Sequence, residues 1–385
     1  MVPNGWSQKT LEDLSIVERG KFSARPRNDP RYFGGEMPFV QTGDVTGSKT
    51  YLNSFTQTLN QDGIGVSKVF PKGTILITIA ANIGDTAITS FDVACPDSVV
   101  AIQPYSTKAD TYWLKNVLDT KKEDLDSQST QNAQKNINLQ VLKPLVILTP
   151  PLSEQKKIAK ILSTWDKAIS TTEQLLANSQ QQKMALMQQL LTGKKRLLDS
   201  NGVRFSGVWS ERLLGDISKI TTGSSNRQDS HMNGAYTFFD RSEDIRTSDT
   251  YLFDCEAVIV PGEGQDFIPK YFLGKFDLHQ RTYAIMDFPE CHGKFLFYTI
   301  HYFRSHFLSQ AVGSTVKSLR LPMFQKMKLN LPTMEEQQKI AAVLSTADQE
   351  ISALQQKLAA LKQEKKALMQ QLLTGKQRVK VEEAA

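Results

Sequence analysis

Ten consecutive residues, ALMQQLLTGK, stand at 185–194 and again at 367–376. Around them, residues 154–194 match residues 336–376 at a fixed offset of 182, with 26 identities in 41 positions and no gap. A chain that carries so long a segment twice has to fold as two copies of whatever that segment builds. A fainter echo joins the beginnings of the two halves. GWSQKTLEDLSIVERG (5–20) faces VWSERLLGDISKITTG (208–223) at an offset of 203, pairing Trp6 with Trp209 and Gly20 with Gly223. The chain therefore reads as a tandem duplication of one unit, a variable domain followed by a near-constant helical segment. The first variable domain is the longer by 21 residues, the difference between the two offsets.

The helical segments are the clearest structural expectation. In the second copy Leu344, Ala347, Ile351, Leu354, Leu358, Leu361, Lys365, Leu368 and Leu372 alternate spacings of three and four, the signature of a coiled-coil seam. In the first copy the seam is Leu162, Trp165, Ile169, Thr172, Leu176, Ser179, Lys183, Leu186 and Leu190. Thr172 and Ser179 weaken it, and Lys183 occupies the place of Lys365, where a matched polar residue fixes register. Each helix follows a proline, with Ser153 or Thr333 as its cap, and ends at Gly193 or Gly375.

The variable domains differ in texture. GTILITIAANIGDTAI (73–88) and YLFDCEAVIVPGEG (251–264) are β-branched runs broken by Gly, Pro and Asn, which predicts strands; FLFYTIHYFRSHFLSQAV (295–312) predicts a helix. Each reads as a mixed α/β domain. The expected fold is α+β: two mixed α/β domains joined by two long helices in an antiparallel coiled coil with pseudo-two-fold symmetry. A helix of about 40 residues runs ~60 Å, and successive major grooves on one face of DNA recur about every 34 Å. Two different readers on such a ruler are what a split, asymmetric DNA site requires.

Catalytic chemistry is hard to place. LTGKK (191–195) has Gln188 where a phosphate-binding loop needs its first glycine, so Gly193 reads as a helix cap. GEG (262–264) lacks the third glycine of a dinucleotide fingerprint. His301 and His306 are five apart on one predicted helix and splay about 140°, unlike metal ligands four apart. Pro96-Asp97 lacks the Glu-x-Lys strand of a nuclease metal site, and no Asn/Asp-Pro-Pro-aromatic motif for amino-group methylation is present. No catalytic residue and no metal ligand is assigned. Three cysteines (Cys95, Cys255, Cys291) without CxxC pairing argue against a disulfide framework. With no apolar span of membrane length and no secretion signal at the start, a cytoplasmic protein without a membrane partner is expected.

The lead-in PLSEQKKIA (151–159), its partner from Pro332 to Ala341, the duplicated LLTGK ends, MPFVQTGDV (37–45), PKGTILITIAANIGDTAI (71–88) and STVKSLRLP (314–322) resemble the specificity subunit of type I restriction–modification enzymes. The resemblance covers essentially the whole chain. It implies target-recognition domains at 1–150 and 199–332, helical regions at 151–198 and 333–380, and a short tail at 381–385. Each target-recognition domain then reads one half of a bipartite sequence on double-stranded DNA. The helices set the unread spacer and dock two methyltransferase subunits, which restriction and translocase subunits join. S-adenosylmethionine, ATP and Mg belong to those partners, and this chain carries no cofactor. Two rivals stay open: the targeting subunit of a fused methyltransferase–nuclease, and a coiled-coil scaffold that binds no DNA.

The net charge of +6 does not mark the DNA-reading surface, because the helical segments alone carry +9 and leave the rest at −3. Local clusters do better. RGKFSARPRNDPR (19–31) offers Arg25, Arg27 and Arg31 for phosphates, and Gln41 and Thr42, with Asp44, follow as base readers. In the second half Asn226, Arg227 and Gln228 hold the matching place, and Lys135 and Asn136 correspond to Lys317, Ser318 and Arg320.

Overall fold

The structure is a computed structural model that describes residues 2–128 and 136–380. It divides into two compact units, Met1–Thr171 with Leu358–Ala385, and Thr172–Lys357. The division falls within both long helices, Leu152–Leu190 and Met334–Leu372, so each unit holds the beginning of one and the end of the other.

In the first unit, Ser15–Arg19, Val99–Pro104, Ile75–Thr78, Thr86–Thr89 and Tyr51–Leu52 form a five-stranded sheet in that order. Ile75–Thr78 and Thr86–Thr89 are buried at every position, which explains why neither strand alternates apolar with charged residues. A second sheet takes the order Gln57–Leu59, Phe33–Phe39, Val93–Ala94, Val69–Phe70. The helix Thr111–Thr120 drives Trp113, fully buried, into the main core beside Ile77, Val100 and Leu114.

The second unit has one six-stranded sheet, ordered Lys219–Thr222, Thr282–Met286, Phe253–Pro261, Lys270–Leu278, Tyr236–Phe239, Arg246–Ser248. Its helical stretch breaks after Tyr302 into Gly293–Tyr302 and Ser305–Gln310, correcting the single predicted helix. His301 and His306 therefore sit on different helices. Among the described residues no three His, Cys, Asp or Glu side chains gather as a metal site.

Beneath these unlike sheets lies one frame, built twice. Ser7–Thr10 pairs antiparallel with Val146–Thr149, and Ser210–Leu213 with Lys328–Leu331. The Leu11 amide donates to the Leu145 carbonyl as Leu214 does to Met327. Gln155 and Gln337, both buried, do the same work. Gln155 accepts from the Asp110 amide and donates to the Pro150 and Lys108 carbonyls. Gln337 accepts from His292 and donates to Pro332 and Glu290. Each clamp ties a helix start to the loop before Thr111–Thr120 or Gly293–Tyr302.

Inside each unit the two helix segments run antiparallel. In the first, Ile158, Ala159 and Leu162 share a core with Leu372 and Leu373, and Lys365 Nζ lies 2.6 Å from Asp166 Oδ1. In the second, Ile340, Ala341 and Leu344 meet Met187, Leu190 and Leu191, and Lys183 Nζ lies 2.5 Å from Asp348 Oδ1. The matched lysines pair with matched aspartates. Tyr112 donates to Asp166 and Tyr298 to Asp348, so each variable domain also binds this pair. All the seam positions are buried or half-buried, Trp165, Ile169, Leu186, Ile351, Leu354, Leu358, Leu361 and Leu368 among them. Thr172 and Ser179 are buried as well, and Ser179 donates to Glu350 at 3.1 Å.

Glu154 and Glu336, near the helix starts, are almost wholly buried and each grips an arginine that follows a helix end. Arg378 reaches Glu154 at 2.7 and 2.8 Å, and Arg196 reaches Glu336 at 2.6 Å through both nitrogens. The guanidinium lies over Trp6 at 5.7 Å in one unit and over Trp209 at 5.6 Å in the other. The turns that bring the arginines round need the left-handed conformation of Gly193 (φ 69°) and Gly375 (φ 70°). Ser153 is no cap, because the helix already begins at Leu152; Thr333 does accept from the Glu336 amide, at 3.4 Å.

Candidate nucleic-acid interface

In the first unit the basic loop runs between the strands Ser15–Arg19 and Phe33–Phe39 and closes over a cleft of about 570 Å³. Phe22, Phe33 and Phe39 line it, with Phe22 and Phe39 centroids 4.8 Å apart, and Arg27, Gln41 and Gln57 stand at its rim. Arg27 pairs with Asp97 at 2.9 Å. Arg31 pairs with Asp29 through Nη2 at 2.6 Å and Nε at 3.0–3.1 Å, and its guanidinium also lies over Tyr32. Those hydrogen bonds hold the Asp29 carboxyl below the usual carboxylate range. Arg25 turns back on its own loop, donating to the Ala24 carbonyl at 2.8 Å.

Gln41 precedes the short helix Thr42–Thr46, its amide donating to Asp44 at 2.8 Å, so Asp44 caps the helix rather than facing outward alone. The Gln41 side chain donates to Gln57 Oε1 at 3.1 Å, which leaves the Gln41 carbonyl oxygen as an acceptor and the Gln57 amide nitrogen as a donor side by side at the rim. Thr42, half-buried, opens that helix. Asn136 lies apart, bridging Ala80, and Lys135 lies outside the described residues.

In the second unit the structure gathers residues from five separate stretches. Asn226 accepts from Gln280 at 2.7 Å, and Arg227 lies 3.7 Å from Asp240. Gln228 is exposed on the same turn, Arg227–Asp229. Lys317–Ser318 pairs antiparallel with Glu263–Gly264, which places the GEG stretch at this surface. Glu263 takes Arg281 at 2.5 Å and Arg241 at 3.2 Å. Arg320, exposed, precedes the helix Leu321–Gln325.

Burial holds His279 below its ordinary range, with Arg281 and Arg241 pushing the same way against Asp240. Burial alone pushes Asp240 up, but hydrogen bonds from Ser242 and the Arg227 charge more than reverse it. The result is a polar surface of fixed cations and carboxylates. It is suited to hydrogen-bonding another molecule. Gln57 and Asp97 at the first unit's cleft, and Arg241, Glu263, Gln280 and Arg281 on the second unit's surface, were not singled out from sequence. In the first unit Gln57 and Asp97 are brought to Gln41 and Arg27, and in the second Arg241, Glu263 and Arg281 are brought together from three separate stretches.

A family model described as the type I restriction modification DNA specificity domain matches this chain twice, at residues 3–178 and 207–363. The type I restriction enzyme EcoDI specificity subunit of Escherichia coli is 30% identical over 138 residues, 36% of this chain and 31% of that protein. The putative type I restriction enzyme MjaX specificity subunit of Methanocaldococcus jannaschii is 24% identical along 98% of this chain and 95% of its own length. The same fold occurs in the crystal structure of the type I restriction-modification S subunit from M. genitalium. There the TM-score is 0.66 at 16% identity, covering 97% of both chains.

Proposed function

The chain belongs to the type I restriction–modification DNA specificity family, whose members are non-catalytic components of those complexes, and we propose that its two units read the two halves of one split DNA site. The first reads through the cleft rimmed by Arg27, Gln41 and Gln57, the second through the surface around Asn226, Arg227, Glu263 and Lys317. The observation that carries this reading is one duplicated frame supporting two unlike sheets. The strand pairs, glutamine clamps and Asp–Lys pairs recur atom for atom, whereas the surfaces above them do not. A repeated frame offers equivalent seats to two copies of one partner, which fits two methyltransferase subunits. Unlike surfaces select unlike sequences.

S-adenosylmethionine, ATP and Mg serve chemistry in the methyltransferase, restriction and translocase subunits, and this chain supplies the address. The test is an exchange. Residues 199–332 are replaced by the corresponding segment of another family member, the chain is co-expressed with its modification subunits, and methylated adenines are mapped across the genome. One half-site changes and the other stays. A change in both halves, or in neither, overturns the assignment of one half-site to each unit.

A further inference from the structure

The second unit contains an arrangement whose chemistry goes beyond binding DNA in general. Glu263 is only 13% exposed and sits between two well-exposed guanidinium groups, Arg241 and Arg281. Arg281 Nη1 meets Oε1 at 2.5 Å and Arg241 Nη1 meets Oε2 at 3.2 Å, so one carboxylate holds two cations, one on each oxygen. The backbone is fixed as well. The Gly262 amide donates to the Arg281 carbonyl at 2.9 Å, and a Cβ at Gly262 would lie 2.5 Å from that oxygen. Glu263 itself is held in the strand paired with Lys317–Ser318.

Each arginine therefore spends Nη1 on the protein and keeps its Nε/Nη2 edge. Those two parallel donors match O6 and N7 of guanine in the major groove. Phosphate contact explains the arrangement poorly. A shared carboxylate cancels one of the two positive charges, which weakens the counterion-release term that makes phosphate contacts favourable. A phosphate, with oxygens on every side, also gains little from a guanidinium locked in one orientation. Base reading gains directly, because orientation is what distinguishes one base edge from another.

We propose that Arg241 and Arg281 are specificity-determining residues, each reading one guanine, with Glu263 as the positioning residue that aims them. The half-site contacted by the second unit accordingly contains two G·C pairs. This inference rests on the DNA-reading role proposed above. The phosphate contacts nearby fall to Lys317, half-buried in that strand pair, and Arg320, exposed beside it.

The test uses the full chain co-expressed with its modification subunits, as wild type and as Arg241→Lys, Arg281→Lys and Glu263→Gln. Mapping of methylated adenines is combined with binding of the assembled methyltransferase to the mapped site across a salt series. The wild-type half-site assigned to this unit has two G·C pairs. Each lysine variant keeps its charge and its salt slope but loses the fork, so discrimination falls about tenfold or more at one of those pairs. Glu263→Gln, which leaves both arginines and removes only the carboxylate charge that aims them, loosens discrimination at both. A half-site without G·C pairs overturns the inference whatever the variants do. So do lysine variants that leave every position as selective as before. A wild-type complex that methylates no defined sequence is a different failure, that of the DNA-reading role itself.

Discussion

Replacing Arg196 by Ala tests whether the buried acid at each helix start is a structural hinge-pin of its unit. Glu336 is fully buried and both its oxygens receive Arg196 at 2.6 Å. The Trp209 indole N–H, buried nearby, has no hydrogen-bond partner. In the Ala variant the carboxylate keeps no charged partner and no indole donor. Orphaning a buried ion in this way costs about 3–5 kcal/mol, or roughly 10 °C in the melting of a unit this size. The corresponding Arg378→Ala is milder. Glu154 keeps the Trp6 indole donor at 3.1 Å, and Arg378 is itself 41% exposed, so water replaces it. The loss there is the worth of charged hydrogen bonds, about 1.5–3 kcal/mol. Hydrogen exchange read unit by unit measures both. Arg196→Ala lowers protection within Thr172–Lys357 and Arg378→Ala within the other unit, by the smaller amount. The double variant Arg196→Met with Glu336→Leu recovers most of the loss, because removing both charges leaves no orphan. Equal losses for the two single variants, or no recovery in the double, would refute the argument from burial.

Other consequences are as direct. Arg27→Ala and Arg320→Ala weaken specific binding by the assembled methyltransferase, and Arg320→Ala lowers the salt slope by about one; unchanged affinity across a salt series for both removes them from the interface. Lengthening the first long helix by whole turns changes the spacer between the half-sites and leaves both half-site sequences intact, as methylation mapping shows; altered half-sites reject the ruler. All five histidines lie in the second unit, and burial lowers His279 and His301 below their ordinary range. The unfolded chain then binds more protons than the folded unit as pH falls through about 6.5. Stability present above that pH is therefore lost on acidification. Limited proteolysis between pH 7.5 and 5.5 cuts the second unit first, and His301→Gln blunts the effect.

The frame was legible in the sequence because duplication exposes it. Gln155 and Gln337, Asp166 and Asp348, Lys183 and Lys365 recur at one offset, and a residue kept twice in the same place has the same job twice. The seam was legible through its spacing, and the lysines within it as register-setters, although their aspartate partners were not named. The break between Tyr302 and Ser305 was not legible. An unbroken aromatic run carries no Gly or Pro to mark the end of a helix, and packing of Phe295 and Phe307 into the same core imposes the turn. The helix start at Leu152 escaped for a related reason, since a buried glutamine clamp, rather than a serine, organises it.

The reading surface was the least legible part, and the reason lies in its own physics. A guanidinium that must be aimed needs a carboxylate beside it. Arg27 has Asp97, Arg31 has Asp29, Arg227 has Asp240, and Arg241 and Arg281 share Glu263. Each such acid cancels a positive charge in any count of composition, so the surface we propose for base reading does not stand out by its charge. The basic excess of this chain lies in its long helices. A net charge locates where a protein can hold phosphates, whereas paired charges at fixed distances locate where it can tell one base from another. The acid partners come from distant strands and loops, so only the folded chain brings them alongside the arginines they aim.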